Sequence, residues 1–441
     1  MSTQANAQNS GFLEKTFKLK EHKTDVKTEI MAGITTFMTM AYIIIVNPGI
    51  LSATGMDVGA LFTATCLASV IATLIMALYA NYPFALAPGM GLNAFFAFTV
   101  VLGMGYSWQF ALTAVLIEGI IFILLTFLNV REAIINCMPI NIKHAVSVGI
   151  GLFIAFIGLS NAGIVAASEA TKVTLGDMSS PSVLLAIIGL IITGVLLAKN
   201  IKGALLIGIL LTTVIGIPMG VTPMPTGFIS APPSLKPILF QFDFSRIMSF
   251  DMLVIMFTFL FVDLFDTLGT LVGVASKADM LDHEGKLPKA KQALFADAVG
   301  TTCGAMLGTS TVTTYVESAA GVAEGGRTGL TALTTAGLFF LALFFSPILT
   351  IVPGAATAPA LILVGLFMMS PIMKINLDDY TESIPAFLTI IMMPLTYSIA
   401  EGIVFGVLAY VILKTLTGKM KDVSYVMYIL AVLFVLKFIL H

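Results

Sequence analysis

The sequence predicts an all-α polytopic membrane protein with fourteen transmembrane segments arranged as two inverted seven-span repeats. The first observation behind this prediction is the composition of the chain. Of the 441 residues, 58% are hydrophobic and 10% are charged, and the mean hydropathy is +1.02. A soluble domain carries roughly 25% charged residues. We therefore expect a chain that lies almost wholly in the bilayer, with no separate soluble domain.

The second observation is the number of apolar runs, most of them close to the length of about 20 residues that crosses a bilayer as a helix. A first set of seven lies near residues 30–48, 59–80, 84–102, 107–128, 141–164, 181–199 and 202–217. A second set of seven lies near residues 251–275, 291–308, 310–324, 329–351, 355–373, 382–398 and 400–416. A proline-rich stretch between the two sets marks the boundary between the halves.

The two sets define the predicted domains. Residues 1–28 form a cytoplasmic N-terminal segment, and residues 29–217 form the first seven-span repeat. The proline-rich connection, residues 218–249, lies on the outer side, and residues 250–417 form the second repeat. The remaining residues, 418–441, form a tail whose apolar run 425–440 either crosses the membrane again or lies against it.

The third observation is the distribution of Lys and Arg. With the N-terminus in the cytoplasm, the predicted inner regions hold 18 of the 22 basic residues and the outer regions hold 3. Positive charge concentrates in cytoplasmic loops, so the plasma (inner) membrane and a cytoplasmic N-terminus are predicted. Because seven is odd, two equivalent halves insert with opposite orientations. Inverted repeats of this kind are typical of secondary transporters, which bind substrate near the midplane.

Composition also argues against other classes of protein. The net charge of −2 provides no basic surface for nucleic acid. The cysteines, Cys66, Cys137 and Cys303, show no metal-ligand spacing, so no disulfide framework, metal site or cofactor is expected. No histidine lies in mid-span and no nucleophile pair is evident, which disfavours an intramembrane enzyme. An ion channel is a further alternative, although no repeated pore signature occurs.

Acidic residues within the apolar runs are the strongest functional signal. Asp263 and Asp266 lie in the middle of residues 252–276, and Glu317 follows in a short segment rich in Gly and Thr. Ionisable groups at bilayer depth are costly and usually handle a substrate or a proton. The two aspartates are three residues apart and therefore share a helical face. We expect all three carboxylates to take part in proton coupling; the alternative is a structural capping or pairing role.

Two segments have sequences typical of broken helices. In the third, Pro88, Gly89 and Gly91 predict an extended first half followed by a helical half. In the tenth, a Thr/Ser cluster predicts a capped helix start, with Glu317 about two turns into the helix. Converging helix starts present free N–H groups and positive dipole ends to a polar ligand. Asn93 is a binding candidate, the alternative being a hydrogen bond between helices.

Two further acidic residues lie within spans. Asp297 is expected to brace neighbouring helices rather than to contact substrate. Glu118, in the middle of the fourth span, is isolated in the sequence and receives no assignment.

Four motifs, in this order, resemble those of the AzgA-like purine permeases of the nucleobase–cation symporter superfamily. They are Ala87-PGMGLNAFFAF-Thr99, Phe261-VDLFDTLGTL-Val272, Gly308-TSTVTTYVESAAGVAE-Gly325 and Ile391-MMPLTYSIAEGI-Val404. The resemblance runs from about residue 12 to the C-terminus. It implies fourteen spans divided into a core, spans 1–4 and 8–11, and a gate, spans 5–7 and 12–14. It also implies elevator-type movement, proton coupling and a homodimer contact through the gate.

The resemblance also implies roles for individual residues. Asp263 and Glu317 match the substrate-binding carboxylates, Asn93 and Gly91 match the functional pair of the third segment, and Asp266 matches an accessory carboxylate. A carboxylate accepts paired hydrogen bonds from N1–H and the 2-amino group of guanine. The aromatic residues Phe95 and Phe265 are candidates for stacking on the base.

We therefore predict a secondary transporter, not an enzyme, that imports purine bases together with protons. Hypoxanthine and guanine are favoured. The alternatives are an adenine permease of the same family, or a carrier of another small solute on the same fold. The expected partners are the base, the proton and membrane lipid.

Overall fold

The computed structural model describes residues 12–128, 139–225, 227–277, 280 and 287–440. Residues 1–11 of the predicted N-terminal segment and Cys137 lie outside the described residues, as does the side chain of Phe265.

Helices account for most of the described chain. In the first half they are Phe12–Phe17 (α1), Val26–Met40 (α2), Ile43–Leu51 (α3), Val58–Ile75 (α4), Met90–Ala94 (α5), Trp108–Leu128 (α6), Ile140–Asn161 (α7), Pro181–Ala198 (α8) and Ala204–Gly216 (α9). In the second half they are Phe250–Lys277 (α10), Ala290–Leu307 (α11), Ser318–Ala323 (α12), Gly329–Ala342 (α13), Ser346–Leu349 (α14), Gly354–Met368 (α15), Tyr380–Leu395 (α16), Ile399–Leu416 (α17) and Tyr425–Leu440 (α18). The π-helical stretches Met76–Ala80 and Phe95–Gly103 continue α4 and α5.

Eight helical stretches within the described residues are long and apolar enough to cross a membrane. They are Val26–Thr54, Val58–Ala80, Trp108–Phe127, Ile140–Asn161, Pro181–Ala198, Gly329–Leu349, Gly354–Lys374 and Ile399–Leu416. Three shorter apolar helices accompany them, at Met90–Gly103, Ala204–Gly216 and Tyr380–Leu395. The chain is therefore a mostly helical polytopic membrane protein, as predicted. The number fourteen and the inverted relation of the halves stay predictions.

Four short strands correct the all-α prediction. Strand β1, Leu86–Pro88, pairs antiparallel with β4, Val312–Thr314, and β2, Val165–Ser168, pairs with β3, Lys172–Leu175. The first pair joins the two segments whose sequences predict broken helices. Unwound backbone inside a membrane protein must find hydrogen-bond partners, and here each broken segment provides them for the other.

Helix starts follow local capping signals. The Asp57 side chain accepts a hydrogen bond from the Ala60 backbone N–H and so caps α4. The Thr328 side chain accepts one from Leu330 at the start of α13. These caps satisfy backbone donors that have no partner within the helix.

The helices form two bundles. In the first bundle, α2, α4 and α6 pack with α10, α11, α12 and α13. In the second bundle, α7, α8 and α9 pack with α15, α16 and α17. The bundles meet where α3 contacts α15, where α5 contacts α7 and where α2 contacts α9. The helices that carry Glu118, Asp263, Asp266 and Asp297 belong to the first bundle, and Glu317 directly precedes α12 of the same bundle.

Candidate functional site

The two broken segments cross at the centre of the site through β1 and β4. Leu86, Ala87 and Pro88 lie opposite Thr314, Thr313 and Val312. The pairing continues beyond both strands: the Gly89 N–H donates to the Thr311 carbonyl at 2.9 Å, and the Tyr315 N–H donates to the Ala85 carbonyl at 3.0 Å. The backbones of the two segments are thus fixed to each other on both sides of the crossing.

The third segment is extended and then helical, as its Pro and Gly residues predict. Helix α5 starts at Met90, directly after β1 and Gly89. Asn93, in the first turns of this helix, is fully buried, and its Oδ1 atom accepts a hydrogen bond from Ser310 Oγ of the other broken segment. Its Nδ2 group has no hydrogen-bond partner among the described residues. Asn93 therefore links the two segments and keeps one donor available.

Gly91 allows close packing between the bundles. A Cβ atom built on Gly91 would lie 2.7 Å from Cγ2 of Ile150, on α7 of the second bundle. This geometry favours a packing role for Gly91.

The tenth segment differs from its predicted form. Helix α12 begins at Ser318, so Glu317 is its N-cap rather than a residue two turns into the helix. The Thr-rich stretch before it caps no helix, because Val312–Thr314 is strand β4. The prediction was wrong here because consecutive β-branched residues also favour extended backbone. The result places the Glu317 carboxylate close to the crossing.

Glu317 has a defined set of polar neighbours. The hydroxyl of Tyr42, a buried residue, donates to Glu317 Oε1 at 2.7 Å. Asp266 and Tyr315 lie close enough to interact electrostatically with Glu317. The side chains of Glu317 and Asp266 are partly exposed, whereas Tyr315 is buried and donates to the Pro88 carbonyl at 2.5 Å. Two carboxylates and the Tyr42 hydroxyl therefore lie near one another beside the crossing.

Asp263 lies in a different environment, although it is on the same helix as Asp266. Its side chain is fully buried, and Thr267 Oγ1 lies 3.2 Å from Asp263 Oδ1 and 3.0 Å from Asp297 Oδ1. The same hydroxyl lies 2.8 Å from Thr313 Oγ1. Asp297 also accepts the Thr314 N–H at 3.1 Å, so it contacts strand β4 as well as Thr267 of α10.

Glu118 is the acidic residue that sequence reasoning left unassigned. It is fully buried on α6, and its Oε2 atom accepts a hydrogen bond from Thr311 Oγ1 at 3.1 Å. Helix α6, which carries Glu118, packs against α10, which carries Asp263. Its isolation is therefore a property of the sequence only. The sequence feature that could have marked Glu118 as a candidate functional residue is its position in the middle of an otherwise apolar span.

A cavity of about 740 Å³ lies between the bundles. Its walls include Phe95, Phe98 and Val254 of the first bundle and Tyr397 and Ser398 of the second. Phe95 also contacts Phe259 edge to face, with 4.8 Å between ring centroids. Asp266 and Glu317 are not part of the cavity wall, which is mostly apolar and includes the polar residues Thr99, Ser398 and Glu401.

Among the predicted site residues, the structure brings Glu317 and Asp266 together and places Asn93 on the same crossing. It places Asp263 in a separate buried group with Glu118 and Asp297. The side chain of Phe265 lies outside the described side chains.

A family model described as "Permease family" matches residues 27–405. The chain belongs to this permease family. The predicted resemblance is thereby confirmed at the level of the family.

Its relatives cover nearly the whole chain. A protein of Methanocaldococcus jannaschii, whose name gives it as a permease without a stated substrate, is 54% identical over 97% of this chain and 98% of its own length. The guanine/hypoxanthine permease PbuG of Bacillus subtilis is 50% identical, over 96% of this chain and 98% of its own. The adenine permease AdeP of Escherichia coli is 45% identical, over 100% and 99%.

The fold also occurs in a solved structure with little sequence similarity. The transmembrane domain of the cyanobacterial bicarbonate transporter BicA matches with a TM-score of 0.65 and 18% identity, over 86% of this chain and 97% of the other. At this identity the match shows the fold alone.

Proposed function

We propose that the protein is a secondary active transporter that imports purine nucleobases by proton symport, with hypoxanthine and guanine favoured. The observation that carries this proposal is the Glu317 carboxylate, held by the Tyr42 hydroxyl beside Asp266 at the crossing of two broken segments. A carboxylate in this position accepts hydrogen bonds from N1–H of hypoxanthine, and from N1–H and the 2-amino group of guanine. The names of PbuG and AdeP support a purine substrate.

Motif matching gives Asp263 as a substrate-binding carboxylate and Asp266 as an accessory carboxylate. In this proposal the two roles are exchanged. Asp266 is partly exposed and adjacent to Glu317, whereas Asp263 is fully buried. A base entering the site reaches Asp266 before Asp263. We therefore assign Glu317 and Asp266 to base binding, with the unpartnered Nδ2 of Asn93 as a donor to a ring nitrogen or carbonyl of the base.

Adenine is the second candidate substrate. Adenine presents an acceptor at N1, so an ionised carboxylate alone does not match that edge. The Nδ2 donor of Asn93, which has no partner among the described residues, matches it. The 45% identity to AdeP favours the same alternative.

In this proposal, the first bundle moves against the second, and this movement exposes the site alternately to the two sides of the membrane. The cavity lies between them, and polar contacts of two kinds join their surfaces: Thr99 Oγ1 donates to the Tyr397 carbonyl at 3.2 Å, and Lys202 pairs with Glu324. Bonds of this kind break and reform at modest cost. The inner-membrane location, the cytoplasmic N-terminus and a dimer contact through the second bundle belong to the same proposal.

Uptake of labelled hypoxanthine into proteoliposomes tests the proposal, with unlabelled guanine, adenine, xanthine and uracil as competitors. We expect guanine to compete and an acid-outside pH gradient to drive accumulation that a protonophore abolishes. Competition by adenine alone would reassign the substrate. Transport of none of these bases by folded protein would reject purine transport.

A further inference from the structure

Two buried amide side chains next to the crossing each keep one hydrogen-bonding atom without a partner. Asn47, the polar residue of the otherwise apolar helix α3, and Asn93 of α5 are both 0% exposed. We propose that Oδ1 of Asn47 and Nδ2 of Asn93 together bind the edge of the purine base that carries N9–H and N3. This assignment rests on the proposed function and deepens it, because it adds Asn47 to the base site.

Consecutive residues of the tenth segment hold the two amides. Nδ2 of Asn47 donates to Thr309 Oγ1 at 2.9 Å, and Oδ1 of Asn93 accepts a hydrogen bond from Ser310 Oγ. Thr309 and Ser310 directly precede the backbone that pairs with the third segment. Helix α3 also packs against α5 and β1. The two amides are therefore neighbours beside the crossing.

The orientation of the Asn47 amide is fixed by its other contact. Thr65 Oγ1 lies 2.7 Å from this amide and donates to the Leu61 carbonyl at 2.6 Å. A hydroxyl group has one proton to donate, so Thr65 can only accept from Asn47. The group of Asn47 that faces Thr65 is therefore Nδ2. Its Oδ1 atom is left without a hydrogen-bond partner among the described residues.

The two open atoms form a complementary pair. Asn47 offers an acceptor, Oδ1, and Asn93 offers a donor, Nδ2, which has no partner in the part of the chain that the structure describes. Buried polar atoms without a partner are uncommon and cost free energy. A ligand edge that presents a donor beside an acceptor removes this cost at both atoms. In hypoxanthine and guanine, N9–H beside N3 is such an edge.

Helix α3 contributes to both ends of the site. Tyr42, the N-cap residue of α3, donates to Glu317 Oε1. Asn47 follows five residues later, about 7.5 Å further along the helix axis. The base site already assigns N1–H, and the 2-amino group of guanine, to the carboxylates. The amide pair binds the adjacent edge of the same base.

This arrangement selects among purines by their hydrogen-bonding atoms. A nucleoside or another 9-substituted purine has no N9–H and leaves Oδ1 of Asn47 unpaired. Xanthine carries a hydrogen atom on N3, so its N3–H faces the Nδ2 donor of Asn93. A site whose buried polar groups are left unpaired by a ligand binds that ligand weakly. The pair therefore favours unsubstituted bases that accept a hydrogen bond at N3.

Two isosteric analogues test the proposal as competitors of labelled hypoxanthine uptake in proteoliposomes. 7-Deazaguanine keeps N9–H and N3, whereas 9-deazaguanine has a C–H group in place of N9–H. In wild-type protein we expect 9-deazaguanine to compete about tenfold more weakly than 7-deazaguanine, because one hydrogen bond is lost and Oδ1 stays unpaired. Equal competition by the two analogues would overturn the proposal without the use of any variant.

Asn47→Ala assigns this discrimination to Asn47. We expect the two analogues to compete within about twofold of each other in this variant, because the acceptor for N9–H is gone. Asn161→Ala, at the exposed end of α7, is the matched control and should keep the tenfold ratio. A ratio that stays near tenfold in Asn47→Ala would overturn the proposal, since it leaves Asn47 as a brace between α4 and the tenth segment.

Asn93→Ala tests the donor of the pair with a different ligand. We expect the preference for guanine over xanthine to fall about tenfold, because the donor that opposes N3–H of xanthine is removed. The ratio between the two deazaguanines should stay within about threefold of that in wild type. An unchanged preference for guanine over xanthine would overturn the role of Asn93. Lack of competition by guanine and by adenine in folded wild-type protein would instead reject the proposed function.

Discussion

Two acidic groups of the first bundle, one helical turn apart, have opposite environments. Glu118, Asp263 and Asp297 are each fully buried, whereas Asp266 and Glu317 are partly exposed. Asp263 and Asp266 belong to the same helix, α10, and face two different sets of neighbours. Spacing along a helix therefore predicts which residues share a face, but it does not predict how deeply each of them is buried.

The neighbouring elements explain the difference. On one side α10 packs against α6, which carries Glu118. On the other side it packs against α12, which is only six residues long and begins directly after Glu317. Glu317, which precedes this short helix, and Asp266 are both partly exposed. The partly exposed group is the one that we propose for base binding.

The largest effect is expected for Glu317→Gln. Replacing the carboxylate with an amide removes the charge-assisted hydrogen bonds to the base, each contributing about 1.5–3 kcal/mol. We expect hypoxanthine uptake to fall roughly 100-fold in kcat/KM, measured as initial rates in proteoliposomes. Protein abundance and melting temperature serve as the fold control. Uptake near the wild-type level would remove Glu317 from the base site.

Paired variants of the two aspartates test the division of roles directly. We expect Asp266→Asn to raise the KM for hypoxanthine roughly tenfold, because the proposal places Asp266 in contact with the base. We expect Asp263→Asn to leave the KM within about threefold and to reduce accumulation driven by the pH gradient, because the proposal gives Asp263 a role in proton coupling and not in base binding. The measurements are concentration series with and without a gradient. The opposite pattern would restore the roles implied by motif matching.

A smaller effect is expected for Tyr42→Phe. The hydroxyl donates to Glu317 Oε1 at 2.7 Å and orients the carboxylate. A single hydrogen bond of this kind contributes about 0.5–1.5 kcal/mol, so we expect hypoxanthine affinity to fall by about fivefold. Equilibrium binding by calorimetry measures the change. Coupling to the pH gradient should stay intact, because Tyr42 contacts Glu317 and not the fully buried acids. A loss of coupling would argue that the two groups act as one.

The sequence predicted the membrane-spanning helical architecture and the extended-then-helical form of the third segment, because both depend on local signals. Long apolar runs indicate spans, and Pro88 and Gly89 indicate the break in the third segment. The pairing of β1 with β4 and the packing of α6 against α10 could not be predicted in the same way. Both join residues far apart in the chain, and their geometry depends on how helices pack. The start of α12 was misplaced because Thr residues favour a strand as well as a helix cap.

Gly91 is where motif matching and geometry differ, and a rescue experiment separates the two interpretations. A Cβ atom there would lie 2.7 Å from Ile150 Cγ2, across the boundary between the bundles. We expect Gly91→Ala to slow hypoxanthine uptake by severalfold, because overpacking of this kind costs about 1–3 kcal/mol. The double variant Gly91→Ala with Ile150→Ala should recover most of the rate, since the second change removes the clashing methyl group. Initial rates and competition profiles of both single variants and the double variant measure this. If Gly91 contacts the base instead, the competition profile changes in Gly91→Ala and Ile150→Ala fails to restore it.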